Sequence, residues 1–232
     1  MKNYRSAIPA SAEERVLSWH IATRSKERAE YTLNGEVMGY RYFRDDGMLG
    51  TETPLRNGLT HGNLYYFDNE PGGILKVTFA WPHRKGLPHG TARQWSIDGK
   101  LIGTFTMKHG TGWDLWRIQV HEKGSIRVSE ARYLWNGKLH GFEWWFNFDG
   151  DGTIYSENHF WENLQHGIER QWNNQGKLKR GYPRYWINNQ QVTKRQYLRA
   201  SAKDLNLPPF KQTDNMPARV FPPEVASALK VS

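Results

Sequence analysis

A His-Gly dipeptide recurs along the 232-residue chain at near-constant spacing, and this periodicity restricts the possible fold more than any other feature. It stands in Asn57-Gly58-Leu59-Thr60-His61-Gly62 and in Lys85-Gly86-Leu87-Pro88-His89-Gly90. It returns in Asn136-Gly137-Lys138-Leu139-His140-Gly141 and in Glu162-Asn163-Leu164-Gln165-His166-Gly167, and a weaker copy, Asn34-Gly35-Glu36-Val37-Met38-Gly39, precedes them all. The closing glycines at 39, 62, 90, 141 and 167 lie 23, 28, 51 and 26 residues apart, so the longest interval hides one degenerate repeat. A period of this length marks a stacked array in which each unit completes the core of its neighbours.

Each repeat reads as a strand, a tight turn and a return strand. The turns are Pro71-Gly72-Gly73, Asp98-Gly99, Gly150-Asp151-Gly152 and Asn174-Gln175-Gly176, where glycine accepts positive φ without strain. The Asn-Gly or Lys-Gly ahead of each His connects one hairpin to the next. The expected fold is mainly β: a single elongated, twisted antiparallel sheet of about a dozen strands, with short terminal helices. Counting from each His-Gly glycine, Phe67, Trp95, Phe146 and Trp172 share one face with Tyr65, Arg93, Trp144 and Arg170. That aromatic column is the expected buried side. The opposite, mixed face carries Tyr66, Gln94, Trp145 and Gln171, with Glu143 and Glu169.

One repeat domain is expected over 1–232, with a capping-helix region at 1–30, hairpin repeats at 31–188 and a C-terminal region at 189–232. Ser11-Ala12-Glu13-Glu14 has the capping-box pattern and predicts a helix over about 12–22. Thr193 and Gln196 form a second capping box and predict a helix over 194–203. A Pro-rich extended tail follows, with a last helical segment over 224–230 and Pro223 suited to its first position.

Eleven tryptophans and 14% aromatic residues exclude disorder, despite a mean hydropathy of −0.80. The absence of cysteine excludes disulfides, thiolate chemistry and Cys-built zinc sites. Residues 1–20 hold no apolar run of signal-peptide length, and no segment has the ~20 apolar residues that span a bilayer, so a cytoplasmic location is expected. The net charge of +9 is concentrated: Lys177, Lys179, Arg180, Arg184, Lys194, Arg195, Arg199 and Lys203 lie in a stretch without a single acid. Such a stretch suits nucleic acid, an anionic membrane or an acidic protein, or is simply a solvated helix face.

The Asn-Gly…His-Gly motifs, each followed by an aromatic strand and a turn glycine, resemble the MORN-type repeat, in the bacterial variant found in proteins termed YwqK-family antitoxins. The similarity covers about residues 33–187, and the segment 186–194 is similar to the tail that leads into a helix after such arrays. The resemblance implies a twisted sheet of successive hairpins that serves as a scaffold for protein interaction, dimerisation or lipid contact.

The chemistry-bearing candidates are few. The repeated histidines do not suit a shared metal ion, because equivalent positions lie about 9.6 Å apart while zinc ligands sit ~2.0–2.1 Å from the metal. Each His is expected to pack at a hairpin corner and bond a backbone carbonyl. No cofactor is implied. At the expected place of the hidden repeat stands His109-Gly110-Thr111-Gly112-Trp113-Asp114-Leu115-Trp116-Arg117, which breaks the local rule through decay or for a function. Glu143 and Glu169 hold equivalent positions about 9–10 Å apart. With Trp145 as a platform they would suit an inverting glycosidase, or they are merely paired acids of a repeat. Three functions result. The first is a non-enzymatic scaffold for a protein partner, including a second copy of the chain, met by His109, Trp113, Asp114, Trp116, Arg117, Tyr66, Glu143, Trp145 and Glu169. The second is polyanion binding through the 177–203 segment, with stacking from Arg184, Tyr185 and Trp186. The third is a hydrolase.

Overall fold

The computed structural model describes residues 4–69, 73–120, 125–147 and 152–230. The turns expected at 71–72 and 150–151 lie outside the described residues. The fold is mainly β and antiparallel throughout, and its strands form two sheets. The chain divides into two compact units, residues 1–109 and 110–232.

In the first unit the strands are β1 (Glu13–Trp19), β2 (Lys26–Leu33), β3 (Glu36–Phe43), β4 (Leu49–Arg56), β5 (Leu59–Thr60), β6 (Gly62–Asn69), β7 (Leu75–Arg84), β8 (Leu87–Pro88), β9 (Gly90–Trp95) and β10 (Leu101–Met107). They pair in chain order, with β5 and β8 as short returns on β4 and β7. The second unit holds β11 (Gly112–Val120), β12 (Ser125–Trp135), β13 (Lys138–Phe146), β14 (Ile154–Trp161), β15 (Leu164–Gln165), β16 (Gly167–Gln171), β17 (Arg184–Ile187) and β18 (Gln190–Val192). Two helices follow, α1 (Lys194–Ser201) and α2 (Pro223–Lys230).

The expected helix over 12–22 is instead β1, paired with β2 from Glu13↔Thr32 onward. The Ser-x-x-Glu signal is overridden because the edge of β2 offers a full ladder of hydrogen bonds, which a short isolated helix cannot match. The C-terminal expectations hold. Thr193 and Gln196 form both bonds of the capping box on α1, and α2 begins at Pro223.

Seven turns carry the array. Asn34-Gly35, Asn57-Gly58, Lys85-Gly86, His109-Gly110, Asn136-Gly137, Glu162-Asn163 and Asn188-Asn189 all have positive φ at both residues, 49–52° at the first and 63–82° at the second. This is the type I′ signature, whose twist matches that of the flanking strands. The second residues fall at 35, 58, 86, 110, 137, 163 and 189, so the intervals are 23, 28, 24, 27, 26 and 26. The hidden repeat is therefore present but was misregistered by four residues. His109-Gly110 is the turn itself, and Trp113-Asp114 occupy the His-Gly place.

Successive turns are also bonded to one another. Gly86 N–H donates to Thr60 O (2.9 Å), Gly137 N–H to Gly110 O (2.9 Å), Asn163 N–H to Leu139 O (3.0 Å) and Asn189 N–H to Gln165 O (2.9 Å). The histidines strengthen this column in a way opposite to the one expected. His89 Nδ1 accepts from His109 N–H (3.1 Å), and His166 Nδ1 accepts from Asn188 N–H (3.2 Å). His89 and His166 thus take the amide of the next turn instead of donating to a carbonyl, whereas His140 Nδ1 has no such bond among the described residues.

Each unit is closed by a chain terminus held on a buried glutamate. In the first, Glu52 accepts from Arg41 Nε (2.8 Å), Tyr4 Oη (2.7 Å) and Ser6 Oγ (2.9 Å), so residues 4–8 lie across the sheet. Tyr4 meets Tyr65 and Phe67 edge-on, with ring centroids 5.1 Å apart in each case. Ile8 packs with Ala29 and Tyr31. In the second, Glu157 accepts from Trp144 Nε1 (2.9 Å), Arg170 Nη1 (2.7 Å) and Arg219, whose Nε and Nη2 reach its two oxygens at 2.7 and 3.0 Å. The tail that carries Arg219 also accepts Trp172 Nε1 on Asn215 O (2.7 Å) and lays Phe221 on Trp144 and Phe146. It leads to α2, which packs on β11 and β12 with Val225 and Ala228 buried.

The turn column makes a differential prediction. A Cβ at Gly110 would stand 2.4 Å from Gly137 N at φ 76°, whereas at Gly58, φ 72°, it meets nothing within 4 Å. Gly58→Ala should cost about 1–2 kcal/mol, the price of left-handed backbone alone. Gly110→Ala should cost at least about twice that, because backbone has to move as well. Urea unfolding of both variants checks the difference, and equal losses would refute the stacked-turn account.

Candidate functional site

The aromatic column is buried as expected. Tyr65, Phe67, Trp144, Phe146 and Trp172 are all buried, and Trp95 packs against the Tyr65–Phe67 cluster. Arg93 is the exception, exposed on β9. The mixed face departs from expectation, because much of it is buried too. In the first unit Tyr66, Phe79, Trp81 and Phe105 form a second aromatic cluster, with centroids 5.6–6.1 Å apart. In the second unit Asp114, Glu130 and Glu143 are buried.

The residues of the degenerate repeat separate. Trp113 lies on the column side, stacked on Trp144 at 5.4 Å with an interplanar angle of 11°. Asp114 and Trp116 point to the opposite face, since strand residues alternate, and Arg117 follows a bulge, half-buried. His109 remains at the turn, its ring 4.5 Å from that of His89. The set read from the sequence is therefore not one surface, and Trp113 and Trp116 cannot serve one partner face together.

What the mixed face does assemble is an acidic cluster around one arginine. Asp114, Arg132 and Glu143 are direct cross-strand partners on β11, β12 and β13. Arg132 Nε donates to Asp114 Oδ2 at 2.6 Å, and Arg132 Nη1 lies 3.3 Å from Glu130 Oε1. Burial pushes the Glu130 carboxyl up to about 7, with the neighbouring Glu143 and Asp114 charges acting the same way against Arg132. Burial likewise raises Asp114, although Arg132 opposes it. Glu130 stood outside every sequence motif. Its signal was only its place opposite Trp145, and that pairing depends on a bulge in β13, where residues 140–142 face Tyr133 alone.

The carboxylate pair suggested for hydrolysis does not converge. Glu143 accepts from Asn158 Nδ2 (3.0 Å) and Glu169 from Trp186 Nε1 (2.8 Å), each already engaged across the sheet. Trp145 is half-buried, 6.5 Å from Tyr155. Among the described residues no group of three or more His, Asp or Glu is placed to hold a metal ion.

The basic segment, by contrast, is open. Lys177, Lys179, Arg180, Lys194, Arg195, Arg199 and Lys203 are exposed, and none of them has an ion pair among the described residues. Arg184 is half-buried, its guanidinium 4.5 Å from the Tyr182 ring centroid. Tyr185, expected to stack a ligand, is instead buried against Tyr197 at 5.2 Å, in the cluster of Ile168, Tyr197 and Leu207 that seats α1 on the sheet. The same region exposes two leucines, Leu198 at 43% and Leu205 at 99%. No helix among the described residues is long and apolar enough to cross a membrane. No known family model matches the chain, and no curated protein matches it either.

Two titrating groups of the second unit have opposite pH signatures. The raised Glu130 keeps its proton in the folded state, so its contribution is complete below about pH 4.5 and lost as pH rises through 7. Glu130→Gln should therefore match the parent near pH 4.5 and exceed it by about 2–3 kcal/mol near pH 8. Burial depresses His159 to about 4, so its contribution is complete above about 6.5 and lost as pH falls toward 4. His159→Gln should flatten that acid limb. Denaturant midpoints of the three proteins between pH 4.5 and 8 check both slopes.

Proposed function

We propose that the protein is a non-enzymatic repeat scaffold that docks on an anionic membrane surface through α1 and the segment before it. The observation that carries this reading is the conjunction of exposed cations, which have no ion pair among the described residues, with Leu198 and Leu205; Lys194 Nζ also lies 3.8 Å from the Phe210 ring centroid. A side chain as apolar as Leu205, almost wholly in water and two residues after Lys203, suits an interface where leucine enters the acyl boundary and cations meet headgroup phosphates. A nucleic acid would use the cations but gains nothing from that leucine. The resemblance to MORN-type repeats is in keeping with a scaffold of this kind.

Flotation with vesicles of phosphatidylcholine, with and without phosphatidylserine, tests the reading. Binding should require the anionic lipid and fall with salt. The Lys194→Gln, Arg195→Gln, Arg199→Gln triple variant should lose about 3 kcal/mol, near 1 kcal/mol per cation. Leu205→Ser should weaken the vesicles' hold while leaving binding to a labelled single-stranded oligonucleotide unchanged. Charge-dependent binding indifferent to Leu205 would instead favour nucleic acid.

A protein partner is the second reading, at a different place from the one the sequence suggested. Trp135 is 47% exposed and Leu164 38%, beside consecutive turns, and His140 lies between Trp135 and Trp161 with ring centroids at 5.5 and 4.3 Å. Exposed tryptophan at such an edge is a common interface anchor.

A further inference from the structure

The first unit contains a cleft between two consecutive His-Gly motifs. It has a volume of about 440 Å³ and is lined by Arg56, Asn57, Leu59, His61, Arg84 and Lys85. The repeat itself builds it. Arg56 and Arg84 are the last residues of β4 and β7, each immediately ahead of a type I′ turn, so they hold equivalent places in successive hairpins. The bond from Gly86 N–H to Thr60 O keeps the two turns in register. Leu59 forms the apolar wall and lies under Gly86, where a Cβ would touch it at 3.6 Å.

No carboxylate lines this cleft, and Arg56, Arg84, Lys85 and His61 form no ion pair among the described residues. On the preceding turn Glu36 Oε1 accepts from the Asn57 N–H at 3.2 Å. Like-charged side chains brought to one concavity without a counter-charge raise the local concentration of anions. Two arginines suit phosphate in particular, since each guanidinium offers a planar fork to two of its oxygens.

We propose that this cleft is a binding site for a small phosphate ester with a polar, hydroxylated body, such as a sugar phosphate. The volume lies in the range of small-molecule clefts, so a bare phosphate would leave it partly filled. The lining holds no Trp, Tyr or Phe to stack a nucleobase. Asn57 and His61 offer hydrogen bonds to hydroxyl groups, and the three permanent cations match a dianion. The site is independent of α1, which belongs to the other unit.

The test is calorimetric titration of the full chain, at low ionic strength, with glucose 6-phosphate and with glucose. Saturable binding of the phosphate ester and none of glucose is expected. Arg56→Gln with Arg84→Gln should weaken binding by about tenfold or more, as the loss of two charge-assisted contacts requires. The α1 triple variant should bind it like the parent, which separates this site from the membrane reading. Both arginines are exposed, so the melting temperature should hold; if the double variant does not fold, Lys85→Gln carries the same test. No saturable heat up to about 10 mM, undiminished binding by the arginine variant, or loss in the α1 variant alone would overturn the proposal. So would arginine-dependent binding seen only with phosphoinositide vesicles and never with the soluble ester, which would assign the cleft to a lipid headgroup.

Discussion

The hydrogen-bonded column of type I′ turns is the constraint on which the rest of the structure depends. A strand slipped by one residue would present every side chain to the wrong face. Seven two-residue turns with both residues left-handed leave no slack for that slip, and the bonds from one turn to the next extend the register along each array. Asn163 and Asn189 contribute twice, since their carboxamide oxygens also accept from Leu139 N–H (2.7 Å) and Gln165 N–H (2.6 Å). His89 and His166 do the same work from the other side. These two histidines are therefore acceptors in a backbone network, a role that requires no metal.

With register set, each unit meets the same difficulty: a hairpin sheet has a large apolar face and few residues to cover it. Both units use a chain terminus, and both hold it on a buried glutamate paired across the ladder with an arginine. Glu52 faces Arg41 and receives Tyr4 and Ser6; Glu157 faces Arg170 and receives Arg219. A buried carboxylate left without such donors would be costly. For Glu157, burial works against the charged form, but Arg219, Arg170 and Trp144 outweigh it and hold the carboxyl below its ordinary range. The pairs act as latches that make the terminal segments part of the fold.

Much of the fold was legible in the sequence, and the misses have specific causes. The hairpins, the buried aromatic column and the capped α1 followed from glycine spacing, period-two alternation and the Thr193–Gln196 box. The degenerate repeat was located but misregistered, because His109-Gly110 mimics the dipeptide while occupying the turn. The same slip placed Trp113 and Trp116 on one surface, when alternation from the true turn puts them on opposite faces. Residues 12–22 were read from a local capping signal that pairing with β2 outweighs. The grouping of Asp114, Glu130 and Glu143 around Arg132 was not legible, because it arises only through cross-strand neighbours. The Arg56–Arg84 cleft escaped because its residues are 28 apart and meet only when turns stack.

By itself the sequence determined the period, the turn chemistry and the existence of an unbalanced basic segment, since each is written in local residue types whose backbone preferences or charges need no partner. Only the tertiary structure decided which faces are covered, which acids are buried together, which cations lack an ion pair and where apolar side chains remain in water. Those properties depend on desolvation and on neighbours far apart in the chain, and neither is defined until the strands are in register and the termini are latched across the sheets.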